Sequence, residues 1–256
     1  EDKLVELISK VDVCLNLIGI LHEKGKVSNF KNIHSIFPKK LAQICNSKKV
    51  KFVHISALGL ESAKDSKYAS SKINGEKFIR EIMPDATIIK PSLVYSVDDN
   101  LTTKFMSLLS ILPFFPLYYG GNTKFTPLHV TELAELIFYI ISKEYYSKTI
   151  EAIGPEVFTF KEILQILMKC IKKKRILLPL PLTLAKLSAF FLQIFPEPLI
   201  TKDQINLLKY DNIKTGNGLT NFDIGCPSRL TFEETVSKYA YNWKEGGQYS
   251  DLLKMK

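Results

Sequence analysis

Lys51-Phe52-Val53-His54-Ile55-Ser56, Tyr68-Ala69-Ser70-Ser71-Lys72-Ile73-Asn74-Gly75-Glu76 and Ala86-Thr87-Ile88-Ile89-Lys90-Pro91 together decide the fold of this chain. The outer two are short apolar runs rich in β-branched residues and read as strands. The middle one opens a helix that the pattern carries from Tyr68 to Met83. On a helix, residues four apart share a face, so Tyr68 and Lys72 point the same way. An ammonium beside a phenol favours the phenolate, and the spacing predicts a tyrosine pKa below its usual value of about 10. Ser56, closing the preceding strand, is placed to hydrogen-bond a carbonyl beside that tyrosine. Proton-coupled hydride transfer to a nicotinamide cofactor needs this arrangement.

Working outward, residues 3–10 read as the tail of a helix. Val11 to Ile18 reads as a buried strand ending at Gly19, because a continuous apolar run bounded by glycine suits a parallel strand covered on both faces. A helix is expected over Asn29 to Ser47, with an irregularity at Pro38. Strands alternating with helices predict an α/β fold with a Rossmann-like, doubly wound parallel sheet. Further on, helices are expected at Leu101–Leu112, Glu132–Lys143 (capped by Thr131) and Phe160–Lys172 (capped by Thr159). A strand is expected at Thr149–Ile153. Residues 182–195, 201–209 and 231–242 read as helical. The organisation expected is a partial Rossmann-like domain over 1–150 and a smaller, mostly helical C-terminal lobe over 151–256.

The 256 residues suffice for a full core, and 46% hydrophobic with 24% charged residues is ordinary for a globular protein. Cys14, Cys45, Cys170 and Cys226 are scattered, with no ligand spacing, so neither a metal site nor a disulfide framework is expected. Net charge is +9, nearly all of it lysine; the arginines are Arg80, Arg175 and Arg229. The run Lys172-Lys173-Lys174-Arg175 lacks interleaved aromatics, so no nucleic-acid partner is expected. Ile176 to Ile200 is apolar but broken by Pro179, Pro181, Lys186, Pro196 and Pro198, which argues against a transmembrane segment; it reads first as a helix packed in the C-terminal lobe, with peripheral contact beside an anionic membrane surface or a partner subunit as the alternative.

The twelve glycines nowhere form G-x-G-x-x-G or G-x-x-G-x-x-G. That loop is where a dinucleotide-binding fold brings its backbone to the pyrophosphate. The first recognisable strand then reads as about the fourth of a Rossmann sheet, and the chain as N-terminally truncated by roughly one βαβαβ half.

Strand, Tyr-x-x-x-Lys helix and strand resemble the extended or atypical short-chain dehydrogenase/reductase superfamily, which includes the NAD-dependent epimerases and dehydratases. Leu15-Asn16-Leu17-Ile18-Gly19-Ile20-Leu21-His22-Glu23 goes further. With Lys90-Pro91-Ser92-Leu93-Val94-Tyr95, Phe125 to Val130, Ile176 to Pro181 and Pro198 to Ile205, it resembles the NDUFA9-like (39-kDa) accessory subunit family of respiratory complex I. The resemblance covers essentially the whole chain and about three-quarters of the family's pattern. It implies NADP(H) or NAD(H) as cofactor. Asn16, Leu17, Ile18 and Gly19 would line the adenosine side. Ile55, Ser56 and Tyr68 would lie near the nicotinamide, Lys72 on its ribose, and Pro91, Ser92, Leu93 and Val94 along its amide. It further implies a non-catalytic accessory subunit or assembly factor of NADH:quinone oxidoreductase, peripheral on the matrix or cytoplasmic side of the inner membrane, with complex I subunits as partners. His129 reads as structural, holding the start of its helix.

A second reading uses the same residues for turnover. In it the chain is an NAD(P)-dependent reductase, epimerase or dehydratase, with Ser56 polarising a carbonyl, Tyr68 as acid/base and Lys72 tuning it.

Overall fold

Alternation of short β-branched runs with amphipathic stretches produces a parallel sheet with crossover helices, and a computed structural model carries that sheet. It describes residues 2–99, 101–181, 201–216 and 218–249. In chain order come α1 (Asp2–Ile8), β1 (Val13–Asn16), a π-helical turn (Lys31–Ile36), α2 (Phe37–Lys48), β2 (Lys51–Ile55), α3 (Lys67–Ile82) and β3 (Thr87–Pro91). Then follow β4 (Val94–Tyr95), α4 (Thr102–Ile111), β5 (Phe114–Leu117), β6 (Lys124–Phe125), β7 (Leu128–His129) and α5 (Val130–Ser142). After these come β8 (Thr149–Ala152), β9 (Phe158–Thr159), α6 (Phe160–Cys170) and β10 (Ile176–Pro179), with helices at Lys202–Leu207 and Phe232–Tyr239. The elements divide into two units that interleave in sequence, so each crosses residue 150. One holds Glu1–Pro91, Glu135–Ala152 and Lys214–Cys226; the other holds Ser92–Ala134, Ile153–Ile213 and Pro227–Lys256.

The first unit is built on the sheet β1-β2-β3-β8, parallel throughout. Cys14 pairs with Phe52 and Asn16 with His54. Side chains alternate across the pleat, so Cys14, Asn16, Phe52 and His54 share one face. That face packs on α1, α2 and α3 through Ile8, Leu41, Cys45, Ile79 and Met83. The other face, with Val53 and Ile89, is buried as well. The strand expected at Val11–Ile18 is shorter and less buried than its apolar run suggested: only Val13–Asn16 is extended, and Leu17 is 63% exposed. Among the described residues β1 has one strand neighbour, so half of its backbone edge and its flanking apolar residues stay uncovered.

Pro38 shapes the helix before β2. Its missing N–H suits the first turn of α2, where it sits, and the chain enters that turn through the wider π-helical one. Ser66 caps α3, its hydroxyl accepting from the Ala69 N–H at 3.2 Å. At the far end the Arg80 guanidinium donates to the Ala86 carbonyl at 2.5 Å and to Thr149 Oγ1 at 2.8 Å, fixing α3 against the start of β8.

The second unit packs α4, α6 and the Phe232–Tyr239 helix around Met106, Leu109, Leu164, Leu167 and Phe232. Its strands form small pairs: β4 with β7 and β5 with β10, both parallel, and β6 with β9, antiparallel. Thr159 begins α6 in a capping box with Glu162, an arrangement worth about 1 kcal/mol. α5 starts at Val130, ahead of the expected Thr131 cap, because His129 Nδ1 accepts from the Thr131 N–H at 3.4 Å and does the capping. The helices expected over 201–209 and 231–242 stand at Lys202–Leu207 and Phe232–Tyr239. The one expected over 182–195, and the Ile176–Ile200 segment beyond residue 181, lie outside the described residues. Among the described residues no helix is long and apolar enough to cross a membrane.

Candidate nucleotide site

Where parallel strands end, the sheet stops covering its crossover helices, and polar side chains on a helix can meet the strand ends there. α3 presents Tyr68, Lys72 and Glu76 on one face at intervals of four residues. What lets this face come close is Gly75. A β-carbon there would fall 2.0 Å from the His34 carbonyl oxygen, so only glycine allows α3 to lie against the π-helical turn. Ser35 Oγ donates to the Ser71 carbonyl at 2.7 Å and seals the contact.

Lys72 is the centre of the arrangement. Its ammonium donates to the Ile55 carbonyl at the end of β2, at 3.3 Å, and stands 5.7 Å from the centre of the Tyr68 ring. A β-carbon on Gly19 would come within 3.8 Å of both Lys72 Nζ and His34 Nε2. The ends of β1 and β2 therefore meet the helix face at this lysine. Burial lowers the Lys72 pKa to about 8, with the Glu76 carboxylate pulling it back up. An ammonium so placed gains from any hydroxyl or anion that completes its coordination.

Two neutral histidines line the same region. His34 Nε2 accepts from the Ile20 N–H at 3.0 Å, so Nδ1 carries the proton and donates to Ser71 Oγ at 2.9 Å; Ser71 in turn donates to the Tyr68 carbonyl at 2.7 Å. Burial, and then the Lys72 charge, bring the His34 pKa down to about 4. Phe30 stacks on His34, and Tyr68 meets both rings edge-on, at 5.8 and 5.2 Å between centroids. Asn16 Oδ1 accepts from the Ile18 N–H, which orients its amide so that Nδ2 donates to His54 Nδ1 at 3.0 Å. The His54 proton then sits on Nε2, which is buried without a hydrogen-bond partner. Burial, reinforced by Lys72, holds His54 near a pKa of about 3.

The expectation of a lowered tyrosine pKa is corrected. Burial pushes the Tyr68 phenol well above its ordinary value, and the Lys72 ammonium, 5.7 Å from the centre of its ring, does not offset that. Ser56 is buried and its hydroxyl donates to Glu76. Glu76 also takes Lys90 at 2.9 Å, and Lys90 reaches Glu61 at 2.5 Å. For Lys90, burial works against the ammonium, but the two carboxylates outweigh it and raise its pKa.

Of the residues singled out in the sequence, Asn16, Gly19, Ile55, Ser56, Tyr68 and Lys72 line this region of the first unit. Leu17 and Ile18 face solvent. Pro91 ends β3 and its carbonyl accepts from the Leu58 N–H at 2.9 Å. Ser92, Leu93 and Val94 belong to the second unit. There Ser92 Oγ bonds the Asn212 carbonyl at 2.8 Å and accepts from the Thr126 N–H at 3.1 Å, Leu93 takes the Leu128 N–H, and Val94 pairs with Leu128. Sequence reasoning missed His34, His54, Ser71, Glu76 and Lys90. The last carried a signal, a lysine inside an apolar strand, which demands a buried counter-charge.

No family model matches the chain. It is 29% identical over 237 residues to the mitochondrial NADH dehydrogenase [ubiquinone] 1 alpha subcomplex subunit 9 of Arabidopsis thaliana, covering 88% of this chain and 59% of that protein. To the subunit of the same name in Dictyostelium discoideum it is 30% identical over 241 residues, covering 92% and 66%. The chain thus spans about six-tenths of the length of these relatives. Two solved structures from Bacillus anthracis share the fold. A dTDP-4-dehydrorhamnose reductase in complex with NADP gives a TM-score of 0.62 at 14% identity over 93% of this chain and 82% of that one. A dTDP-glucose 4,6-dehydratase in complex with NAD gives 0.65 at 14% over 97% and 78%. With about nine-tenths of its length matched to the two mitochondrial subunits, the chain is related to the NDUFA9-like (39-kDa) subunits, and it shares its fold with the two Bacillus anthracis enzymes.

Proposed function

We propose that this chain serves as an NAD(P)-binding, non-catalytic accessory subunit or assembly factor of respiratory complex I, held peripherally at the matrix face of the inner membrane. The observation that carries the cofactor half of the reading is the meeting of Lys72, Gly19 and Tyr68 at the ends of β1 and β2. A buried ammonium beside an open glycine backbone suits a ribose diol, which offers it oxygen acceptors. Asn16 to Gly19 would follow the adenosine side, and Ile55 to Tyr68 the nicotinamide ring. The relatives' names supply the complex and the compartment.

Two features favour holding over turnover. Ser56 gives its hydroxyl proton to Glu76, and Tyr68 is stabilised as the neutral phenol. A shuttle would need the first free and the second easy to ionise. The competing reading, an NAD(P)-dependent reductase, epimerase or dehydratase using Ser56, Tyr68 and Lys72, rests on those three side chains lining one region.

Two measurements test the proposal. Native then denaturing electrophoresis of gently solubilised membranes, probed for this chain, is expected to place it with the NADH dehydrogenase complex; migration as a free small protein overturns the partner half. Acid release of nucleotide from the isolated complex is expected to yield about one nicotinamide dinucleotide per chain, largely lost in Lys72→Met. Nucleotide retained in full by Lys72→Met removes the cofactor half. Substrate-dependent NADPH consumption abolished by Tyr68→Phe would establish the enzyme instead.

A further inference from the structure

We propose that the outer face of the β5/β10 strand pair is a docking surface for a membrane carrying anionic lipid. The pair is parallel, with Ile176 opposite Phe114 and Leu178 opposite Pro116. Residues paired across a pleat share a face. Inward go Phe115 and Leu117, both buried, with Leu177 packed on the same core. The other face is ordinarily polar in a small sheet lying on a core. Here it carries Phe114 at 56% exposure, Ile176 at 64% and Leu178 at 44%, flanked by exposed Leu112. Large apolar side chains clustered on an outer face mark a contact surface.

Charge identifies the occupant. Lys172, Lys173 and Lys174 immediately precede β10, and among the described residues none of them has a carboxylate partner. The following Arg175 fixes this basic loop in place, donating to the Leu109 and Ser110 carbonyls at the end of α4 at 2.7 and 2.8 Å. Apolar side chains bordered by unpaired lysines match the layering of an anionic bilayer, acyl chains under a negative headgroup plane.

The test is co-sedimentation of the protein with vesicles of phosphatidylcholine alone or of phosphatidylcholine with about one-third phosphatidylglycerol. Binding to the anionic vesicles that weakens with added salt is expected, with little binding to the neutral ones. Each lysine near such a surface is worth on the order of fivefold in partitioning, so K172Q/K173Q/K174Q should lower it roughly a hundredfold. Phe114→Ser with Ile176→Ser should lower it at least about tenfold. Leu178→Ser serves if that pair fails to fold, and an unchanged melting temperature certifies each variant. Equal sedimentation with both vesicles, or variants that bind like the parent, overturns the proposal. So does a concentration-dependent dimer that disappears in Phe114→Ser. The vesicles contain no complex I subunit and no nucleotide, so failure here leaves the cofactor and complex I halves of the proposed function untouched.

Discussion

Replacing Gly75 by alanine tests the contact that sets the candidate site. The new β-carbon would lie 2.0 Å from the His34 carbonyl oxygen, where ordinary contact begins near 3.4 Å, a shortfall of 1.4 Å. The obstructing atoms are backbone, the His34 carbonyl carbon at 3.1 Å and Ser35 Cα at 3.6 Å among them, so no rotamer change relieves the clash. α3 must retreat from the π-helical turn. Overpacking of this kind costs about 1–3 kcal/mol. Retreat also stretches the Ser35–Ser71 and His34–Ser71 hydrogen bonds, each worth about 1 kcal/mol. Against this, alanine improves helix propensity by about 1 kcal/mol. The balance is a loss of about 2–4 kcal/mol, which at this chain length lowers the melting temperature by roughly 6–12 °C. Urea denaturation followed by circular dichroism measures it, with Gly216→Ala as the control, since nothing lies within 4 Å of a β-carbon there. If Gly75→Ala proves as stable as the parent or more so, propensity has outweighed packing and the close approach of α3 is refuted.

Other consequences follow from the charges and caps. Lys90→Met leaves the Glu76 carboxylate, 14% exposed, without its cation and should cost about 3 kcal/mol in urea titration, while Glu61, half in solvent, contributes little; a loss below about 1 kcal/mol contradicts a desolvated Lys90–Glu76 pair. Adding Glu76→Gln to Lys90→Met should restore part of the loss. His34 and His54 have folded-state pKa values of about 4 and about 3, below the ordinary value near 6.5. Their contribution is therefore full above about pH 6.5 and drains away as pH falls toward 4 and then 3. His34→Gln should flatten the upper part of that acid limb in a pH series of melting temperatures, and an unchanged slope argues against a neutral buried imidazole. Thr159→Ala removes the α6 capping box and should cost about 1 kcal/mol; no change in urea midpoint would show that the box contributes nothing.

Much of the sheet was legible because strand and helix periods are local. Val53 and Ile89 alternate with residues of the opposite face, and Tyr68 and Lys72 sit one helical turn apart whatever surrounds them. The Tyr68–Lys72 face and the end of β2 beside Ser56 could be placed for the same reason. Val11–Ile18 misled, since an apolar run does not reveal how many strands flank it. β5 and β10 went unread because each is four residues long and their partnership spans more than fifty residues of chain.

By itself, then, the sequence determined the alternation of strands and helices in the parallel sheet, the shared face of Tyr68 and Lys72, and the kinship of the chain, all properties of neighbours in sequence. The tertiary structure alone decided that Ser56 would spend its proton on Glu76, that burial would raise the Tyr68 pKa and lower that of Lys72, and that Phe114 and Ile176 would turn outward together. Solvation and charge depend on which distant residues share a space, and that is settled only when the sheet, its helices and Gly75 bring them into contact.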